Sequence, residues 1–483
     1  MTQQPPSITA LGGVDSDNST RLACQLPPEL LLHIFEHTLD TSINDYRLPS
    51  HSQTAAPLVL SWVCSSWRRL AITTPRLWTS ISLGSHGSSP ACDAWILDLF
   101  ISRSGIKYPL SFAMNYDAPG SARQEKSSLS RAQSKAYVAS MHKIARRLVA
   151  VRHRWRHLIV NALVLDALAP LFRALPQGTP LLEYLSLSTK YTGFHGREYT
   201  MRLTSCNRLR TVRILSPMVF FDPSLPLLPN LTTLDLHFVQ SLLDAIAWLA
   251  ACPNLERLSI ELYASLRRHE PLSTLQIRLE RLSHFSLTCS YGESDPGPLL
   301  DCMITPNLQS LHFIRYRTSL LGPDNSWQNI VGLLERSEDP PLHELHLIDT
   351  PEHPDQLSNV LQRASRVKYL ALEGEAVTDE LIQQLYAGPV GGELGGNADA
   401  IPLCQKLETL ELHDVPACFP TIIDVARSRT KVFEGTDTGS NAFRTLKSLI
   451  LSYETFGHFF NDPNNFITIP SDLSIAFKPT TAR

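Results

Sequence analysis

The sequence lacks the cysteine spacings of a metal-binding or disulfide-rich protein. Its nine cysteines are scattered through 483 residues, and no two of them form a CxxC pair. This distribution argues against a disulfide framework, a zinc site and a RING module, and it favours reduced thiols. We therefore expect an intracellular protein, in the cytoplasm or the nucleus, with no metal site and no cofactor.

Signals for membranes, secretion and nucleic acids are also missing. Residues 1–20 have neither a basic segment nor an apolar one, and no apolar run reaches the length of a membrane span. The glycosylation sequons at Asn18 and Asn230 are therefore expected to stay unmodified. The formal net charge of -3 provides no global attraction to nucleic acids or anionic membranes. We expect neither as a partner.

Catalytic motifs are absent from the sequence: there is no GxSxG, no HExxH and no phosphate-binding loop. The glycines of residues 388–400 follow neither GxGxxG nor GxxxxGK order and indicate an insertion. His343 and His346 are three residues apart, but the alternation of a strand would send them to opposite faces, so no metal site is expected there. The basic segment 143–157 overlaps an apolar stripe of helical spacing, which favours the solvated side of a helix over a binding site.

The amino-terminal part of the chain predicts two apolar helices after a polar segment, residues 1–24, that is expected to be disordered. Pro27 and Pro28 suit a helix start, and Leu30 and Ile34 are four residues apart. Residues 43–57 predict a loop. Residues 58–74 then predict one helix, with these residues on one face: Leu60, Val63, Cys64, Trp67, Leu70 and Ala71.

These two segments, "LPPELLLHIF" and "LVLSWVCSSWRRLAITTPRLW", resemble an F-box, and the resemblance covers residues 25–83. It implies docking on a Skp adaptor, which is attached to a cullin and its RING protein, so that the chain recruits protein substrates for ubiquitin transfer. The implied adaptor contacts are Leu26, Pro27, Leu30, Leu31, Ile34, Phe35, Val63, Cys64 and Trp67. Alternatively, the two helices cap the structure that follows, and their aromatic residues are plain core.

The remaining sequence repeats the unit L-x-x-L-x-L. The steps between units are 22 to 27 residues from Trp155 to Leu308 and 25 to 40 residues beyond, in or near the range of leucine-rich repeats. Divergent units begin at Trp78, Leu110 and Trp155. The regular units begin at Leu182, Leu209, Leu231, Leu255, Leu282, Leu308, Leu342, Val367, Leu407 and Leu446.

Helical spacing of apolar residues lies between many of these units, so each unit predicts a strand followed by a helix. The array resembles the irregular leucine-rich repeats that follow F-boxes in many fungal proteins. The predicted fold class is α/β, with short all-α F-box helices followed by a leucine-rich-repeat-like α/β solenoid. We expect linker helices and divergent first repeats over 84–154, the main array over 155–452 and a cap or tail over 453–483.

The polar residues between the leucines of each unit predict a binding face, because neighbours in a strand point to opposite sides. A mixed-charge face could hold a segment of a protein substrate. Alternatively, it is a solvated face without a ligand. The candidate substrate-binding residues are Tyr184, Arg213, Asp235, Arg257, His284, His312, Glu344, His346 and Tyr369.

These features predict a non-catalytic substrate receptor of an SCF-type cullin-RING ubiquitin ligase. A second possibility is an interaction scaffold that binds Skp, or caps itself, without delivering substrates. A catalytic domain within residues 290–440 is a third.

Overall fold

The computed structural model describes residues 26–39, 56–84, 90–116, 131–191, 199–216, 219–221, 227–263, 276–290, 295–315, 326–348, 354–386, 403–430, 446–452 and 473–478. The chain divides into two compact units between Leu182 and Glu183, within the predicted array. Four predicted segments lie wholly or mostly outside the described residues: the leader (1–24), most of the loop (43–57), the glycine-rich insertion (388–400) and most of the tail (453–483).

The first unit begins with helices and continues with three parallel strands in the order β1, β2, β3. The three strands lie at the segments predicted to begin at Trp78, Leu110 and Trp155. The elements are α1 (Pro28–Thr38), α2 (Leu60–Val63), α3 (Ser65–Thr73), β1 (Ser80–Leu83), α4 (Pro90–Arg103), β2 (Leu110–Tyr116), α5 (Arg131–Ala150), β3 (Trp155–Val164) and α6 (Ala169–Ala174).

Asparagine side chains connect these three strands. The Asn115 amide donates to Ser82 Oγ at 3.1 Å, and the Asn161 amide donates to Asn115 Oδ1 at 2.7 Å. Gly84 follows β1 with φ +76°, and a Cβ there would lie 2.3 Å from the Asn115 carbonyl oxygen. Both the positive φ and the close approach therefore require glycine at this position.

The basic segment lies mainly on α5, as predicted. The apolar stripe of this helix is buried at Met141, Ile144, Ala145 and Leu148, while Val138 is half-buried. The basic residues of α5 therefore lie on a helix whose apolar side packs in the core of the first unit. The prediction of a solvated side is wrong for Arg154, which follows α5: it is 5% exposed, and its guanidinium donates to the Tyr108 carbonyl and to Ser104 Oγ.

Eleven strands of the second unit form a parallel sheet in which each strand pairs with the next member of the series. All ten regular units confirm their predicted strands, and each strand starts two residues after the first apolar residue of its unit. The eleven strands are β4 (Tyr184–Tyr191), β6 (Thr211–Leu215), β8 (Thr233–Val239), β9 (Arg257–Leu262), β11 (His284–Cys289), β13 (Ser310–Arg315), β14 (Glu344–Ile348), β15 (Tyr369–Glu373), β16 (Thr409–His413), β17 (Ser448–Ser452) and β18 (Ser474–Lys478).

Two shorter parallel pairs accompany this sheet: β5 (Tyr199–Met201) with β7 (Val219–Phe221), and β10 (Ile277–Arg278) with β12 (Met303–Ile304). Helices lie between many of these strands, as the helical spacing of apolar residues predicts. They are α7 (Leu242–Ala251), α8 (Gly297–Cys302), α9 (Ser326–Arg336), α10 (Pro354–Arg363), α11 (Asp379–Gln383) and α12 (Phe419–Thr430).

The core of the second unit is formed by the repeated leucines. In β9, Leu258 and Ile260 are buried, whereas Arg257 is exposed and Ser259 is half-buried. Leu255, which begins that unit of the repeat, is fully buried just before the strand. Alternation within each strand therefore sends the apolar residues inward and leaves the polar residues between them on the other face. The fold is mixed α/β.

The three "PNL" tripeptides of the sequence have a structural role before their strands. The Asn230 side-chain amide donates to the Asn207 carbonyl at 2.6 Å, Asn254 to Pro229 at 2.8 Å, and Asn307 to Glu280 at 2.7 Å. Each asparagine therefore bonds a turn of the preceding unit, so successive turns are tied together by side chains as well as by the sheet.

One predicted element is wrong: residues 58–74 do not form a single helix. Cys64 is extended, with φ −156° and ψ 173°, and it separates α2 from α3. Its Sγ accepts a hydrogen bond from the backbone N–H of Trp67 at 3.4 Å, so Cys64 caps α3.

Among the described residues, no helix is both long enough and apolar enough to cross a bilayer.

Candidate functional site

Helix α1 carries exposed apolar side chains along one side. Pro28 lies at its first position, where a missing N–H costs no hydrogen bond. Leu30 and Ile34, four residues apart, are 53% and 44% exposed, and Leu26, which precedes the helix, is 37% exposed. Because residues four apart share one side of a helix, Leu30 and Ile34 present a single apolar strip.

An adjacent side of α1, about 100° round the helix, is buried at two positions. Leu31 and Phe35 are 2% and 0% exposed, and the Phe35 ring meets the half-buried Trp67 ring edge-to-face, with centroids 4.8 Å apart. The predicted adaptor residues therefore separate into two groups. Leu31, Phe35 and Trp67 hold α1 in place, while Leu26, Leu30 and Ile34, beside the exposed Pro27, face outward.

The break at Cys64 exposes the end of α2. Val63 and Trp62 are 47% and 53% exposed, whereas Leu60 is buried. Trp62, which the sequence places off the apolar face of the expected helix, is thus an additional exposed apolar residue of this segment. We call Leu26, Leu30, Ile34, Trp62 and Val63 the exposed apolar set.

These helices are fixed to the core of the first unit through Trp78. Its indole N–H donates to the Ala71 carbonyl at 2.8 Å, and its ring contacts Phe100 edge-to-face at 5.0 Å. The Arg103 guanidinium lies 4.3 Å from the centre of the same ring. The exposed apolar set therefore belongs to segments that are held by a packed aromatic anchor.

The second candidate surface is the polar face of the sheet in the second unit. The register places Arg213, Asp235, Ser259, Ser286, His312 and His346 side by side on successive strands. A parallel row contains Arg257, His284, Ser310, Glu344 and Tyr369. Both rows lie on one face, as the repeat predicts.

A shallow groove crosses this face between β8 and β13. Small hydroxyl side chains, Ser259, Ser286 and Ser310, lie along it, and larger polar residues stand around them. Its lining residues are Leu234, Asp235, Arg257, Leu258, Ser259, His284, Phe285, Ser286, Ser310 and His312. A groove of this composition can accept an extended segment and offers hydroxyl groups to it.

A charged cluster lies on one side of the groove. Arg213 Nε is 2.8 Å from Asp235, and His237 bridges Asp235 at 3.0 Å and Glu261 at 2.7 Å. Burial alone would lower the pKa of His237, but the hydrogen bonds to both carboxylates outweigh it and raise the pKa to about 9. His237 is therefore a cation at neutral pH.

A second cluster lies on the other side, across β13 to β16. Glu344 Oε1 is 2.9 Å from His346 Nε2 and 3.4 Å from His312 Nε2, and the His346 ring stacks on Tyr369. Burial lowers the pKa of His346, which favours the neutral imidazole. Among the described residues, His312, Glu344 and His346 form the one group whose ligand atoms could hold a metal ion.

Beyond Tyr369, the same cluster continues to Glu411. This carboxylate accepts from the Tyr369 hydroxyl and contacts His413 at 2.7 Å and Lys478 at 3.0 Å. Burial opposes its ionisation, but these partners outweigh burial and lower its pKa to about 2. Glu411 is therefore an anion at neutral pH.

Most predicted substrate-binding residues reach the surface, but Tyr184 does not. Tyr184 is 5% exposed. The prediction that Tyr184 is accessible is wrong because its side chain is buried in the second unit, where it helps to raise the pKa of Arg213. Sequence reasoning missed His237 and Glu261, which lie two residues after Asp235 and Ser259 on the same strands. Because alternate residues of a strand share a face, the same alternation extended by two residues would have included them.

The prediction that no metal would bind was based on His343 and His346. His343 lies before β14 and is exposed, so it does not share the face of His346. The partner of His346 is His312, at the same register position on the neighbouring strand.

Comparison with models of protein families and with curated proteins found no match to this chain.

Proposed function

We propose that this chain is a substrate receptor of an SCF-type cullin-RING ubiquitin ligase. The exposed apolar set binds a Skp adaptor, which connects the chain to a cullin and a RING protein. The polar face of the sheet binds a protein substrate. The receptor does no covalent chemistry; it raises the local concentration of a substrate lysine near the ubiquitin-charged enzyme.

The observation that carries the proposal is the exposure of Leu30 and Ile34 on a helix that is anchored by the buried Leu31 and Phe35. Contiguous exposed apolar side chains on a folded surface typically mark an interaction site. The two segments that resemble an F-box contain the exposed apolar set. Because F-boxes bind Skp adaptors, the resemblance suggests a Skp adaptor as the protein that covers these side chains.

The sheet of the second unit supports the other half of the proposal. Successive parallel strands with interposed helices present one continuous polar face, which is the arrangement that repeat proteins use to bind extended partners. The groove between β8 and β13 lies on this face, with a charged cluster on each side. We propose that this face holds a protein segment with both apolar and charged residues.

The first test is co-purification of the full chain with a Skp adaptor, using a Leu30→Asp/Ile34→Asp double variant. Both side chains are exposed, so carboxylates there leave the core intact but are desolvated when the helix is covered. We expect at least about a thirtyfold loss of affinity, since burying unpaired charges at an interface costs about 2–5 kcal/mol. Phe35→Asp is unsuitable because Phe35 is fully buried.

The matched control is Ile106→Asp, at an apolar residue of the first unit that is 85% exposed and lies outside the exposed apolar set. It should bind the adaptor like the wild type. Equal binding by the double variant and the wild type, or no binding by the wild type at all, would contradict the proposal.

A second candidate function is an interaction scaffold in which the F-box-like segments serve as a cap. The contacts of Trp78 with Phe100 and Arg103 favour it, because they show these segments packed as part of the first unit. Reconstitution with adaptor, cullin, RING protein and ubiquitin-charged enzyme separates the two candidates. A receptor would become ubiquitylated itself in a Leu30- and Ile34-dependent manner, whereas a scaffold would not.

A further inference from the structure

We propose that His312, Glu344 and His346 form a binding site for a first-row transition-metal ion, of which Zn²⁺ is the most accessible probe. The site lies on the polar face of the sheet, across β13 and β14. It does not rest on the ubiquitin-ligase proposal and would stand if that proposal failed.

The distances between the three ligand atoms are close to those around one metal ion. Glu344 Oε1 is 2.9 Å from His346 Nε2 and 3.4 Å from His312 Nε2, and all three atoms lie within 4.8 Å of one another. Ligands placed about 2.0–2.1 Å from a tetrahedral Zn²⁺ are about 3.3 Å apart. Small rotations of the side chains therefore suffice to enclose an ion.

The backbone fixes the positions from which these side chains extend. His312 and His346 are direct register partners on paired strands, and Glu344 is two residues before His346 on the same face. The rings of the two histidines lie with centroids 3.9 Å apart. Ligands carried by a sheet are held more firmly than ligands carried by loops, so little ordering is needed when the ion binds.

Neighbouring side chains support two of the three ligands. Tyr369 stacks on the His346 ring at 5.0 Å with an angle of 17° between the planes, and Ser310 hydrogen-bonds with Glu344. Contacts with neighbouring side chains restrict the orientation of metal ligands. The His346 ring and the Glu344 carboxylate are thus held in orientation before an ion binds.

The donor set selects the kind of ion. Two imidazole nitrogens and one carboxylate oxygen suit Zn²⁺, Ni²⁺ or Cu²⁺, whereas Mg²⁺ and Ca²⁺ prefer oxygen ligands only. His312 and Glu344 are 36% and 40% exposed, so an ion could enter directly from solvent. With three protein ligands, at least one coordination position stays open to water or another donor.

Two contacts of the Glu344 carboxylate with His312 and His346 would give the same geometry without a metal. Zn²⁺ binding must therefore be measured directly. The experiment is a titration of the full, reduced chain with Zn²⁺ by calorimetry and with Co²⁺ by visible absorption, using Mg²⁺ as the negative probe. We expect one Zn²⁺ dependent on this site, an absorption spectrum of tetrahedral Co²⁺ with nitrogen and oxygen ligands, and no Mg²⁺ binding there.

The variants are His312→Gln and His346→Gln, which keep polar side chains on the face. Each should weaken Zn²⁺ binding by more than about tenfold, because even outer contacts of metal sites contribute about 10- to 100-fold. The control is His413→Gln, at a histidine of the same face that contacts Glu411 instead. It should bind Zn²⁺ like the wild type.

Three results would overturn the site: no Zn²⁺ bound by the wild-type chain, unchanged affinity in both variants, or a Co²⁺ spectrum dominated by thiolate charge transfer. The last result would assign the binding to cysteines. Heating the chain with and without Zn²⁺ gives an independent reading, since an ion that binds only the folded state raises its melting temperature. That rise should be lost in the two variants and kept in the control.

Discussion

At the scale of single residues, the polar face is governed by charges that satisfy one another. Asp235 lies between Arg213 and His237, and His237 also reaches Glu261. Because both carboxylates face the imidazole, the pKa of His237 rises from 6.5 to about 9 despite burial. Protonation of His237 is therefore coupled to folding.

The pH dependence of stability follows from the direction of this shift. A pKa that is higher in the folded state contributes stability that is complete below the unfolded value of 6.5 and is lost as the pH rises through about 9. We expect the difference in melting temperature between the wild type and His237→Gln to be largest below pH 6.5 and to shrink toward pH 9.

Two measurements check this prediction about His237. Thermal unfolding across that pH range should show the narrowing difference, and a difference that stays constant would contradict it. Titration of the His237 ring by NMR should give a pKa near 9 in the wild type. The pKa should be lower in Glu261→Gln, because that change removes the negative charge of one of the two partners.

At the scale of secondary-structure elements, the strands and most helices could be predicted from sequence because their signals are local. Alternating leucines specify a strand with one buried face wherever they occur. The break at Cys64 could not be predicted from apolar spacing, since that spacing continues through it. The Cys64 side chain caps the start of α3 there, and capping by cysteine carries no strong sequence signal.

Helix α12 is joined to its surroundings by a buried arginine. Arg429 is 3% exposed, and its guanidinium donates to the carbonyl oxygens of Leu385, Leu403 and Cys404. Leu385 precedes residues 387–402 and the other two follow them, so this side chain ties together both flanks of that segment. Burial lowers the pKa of Arg429.

We expect Arg429→Met to destabilise the second unit by at least about 2 kcal/mol, because buried carbonyls would lose their donors. The matched change is Arg427→Met on the same helix, where the side chain is half-exposed and its guanidinium is 3.2 Å from Asp424. Such a surface pair contributes about 0–1 kcal/mol. Urea unfolding measures both variants, and equal midpoints would contradict the role assigned to Arg429.

At the scale of the whole molecule, the sequence alone does not predict which side chains become neighbours across adjacent strands. His312 and His346 are 34 positions apart in the chain, with α9 between them, and only the register of β13 against β14 brings them together. The rows of the polar face could be anticipated from the repeat. The cluster within those rows depends on side-chain contacts across strands, which a repeat pattern alone does not determine.

The exposed apolar set belongs to the first compact unit and the His312–Glu344–His346 cluster to the second. Changes at sites without shared contacts usually act independently. We therefore expect Leu30→Asp/Ile34→Asp to bind Zn²⁺ like the wild type, and His312→Gln to bind the Skp adaptor like the wild type. Calorimetry and co-purification on the same protein preparations measure both. If either variant lost both activities together, the loss would be attributable to unfolding or coupling of the units, and the assignment of two separate sites would fail.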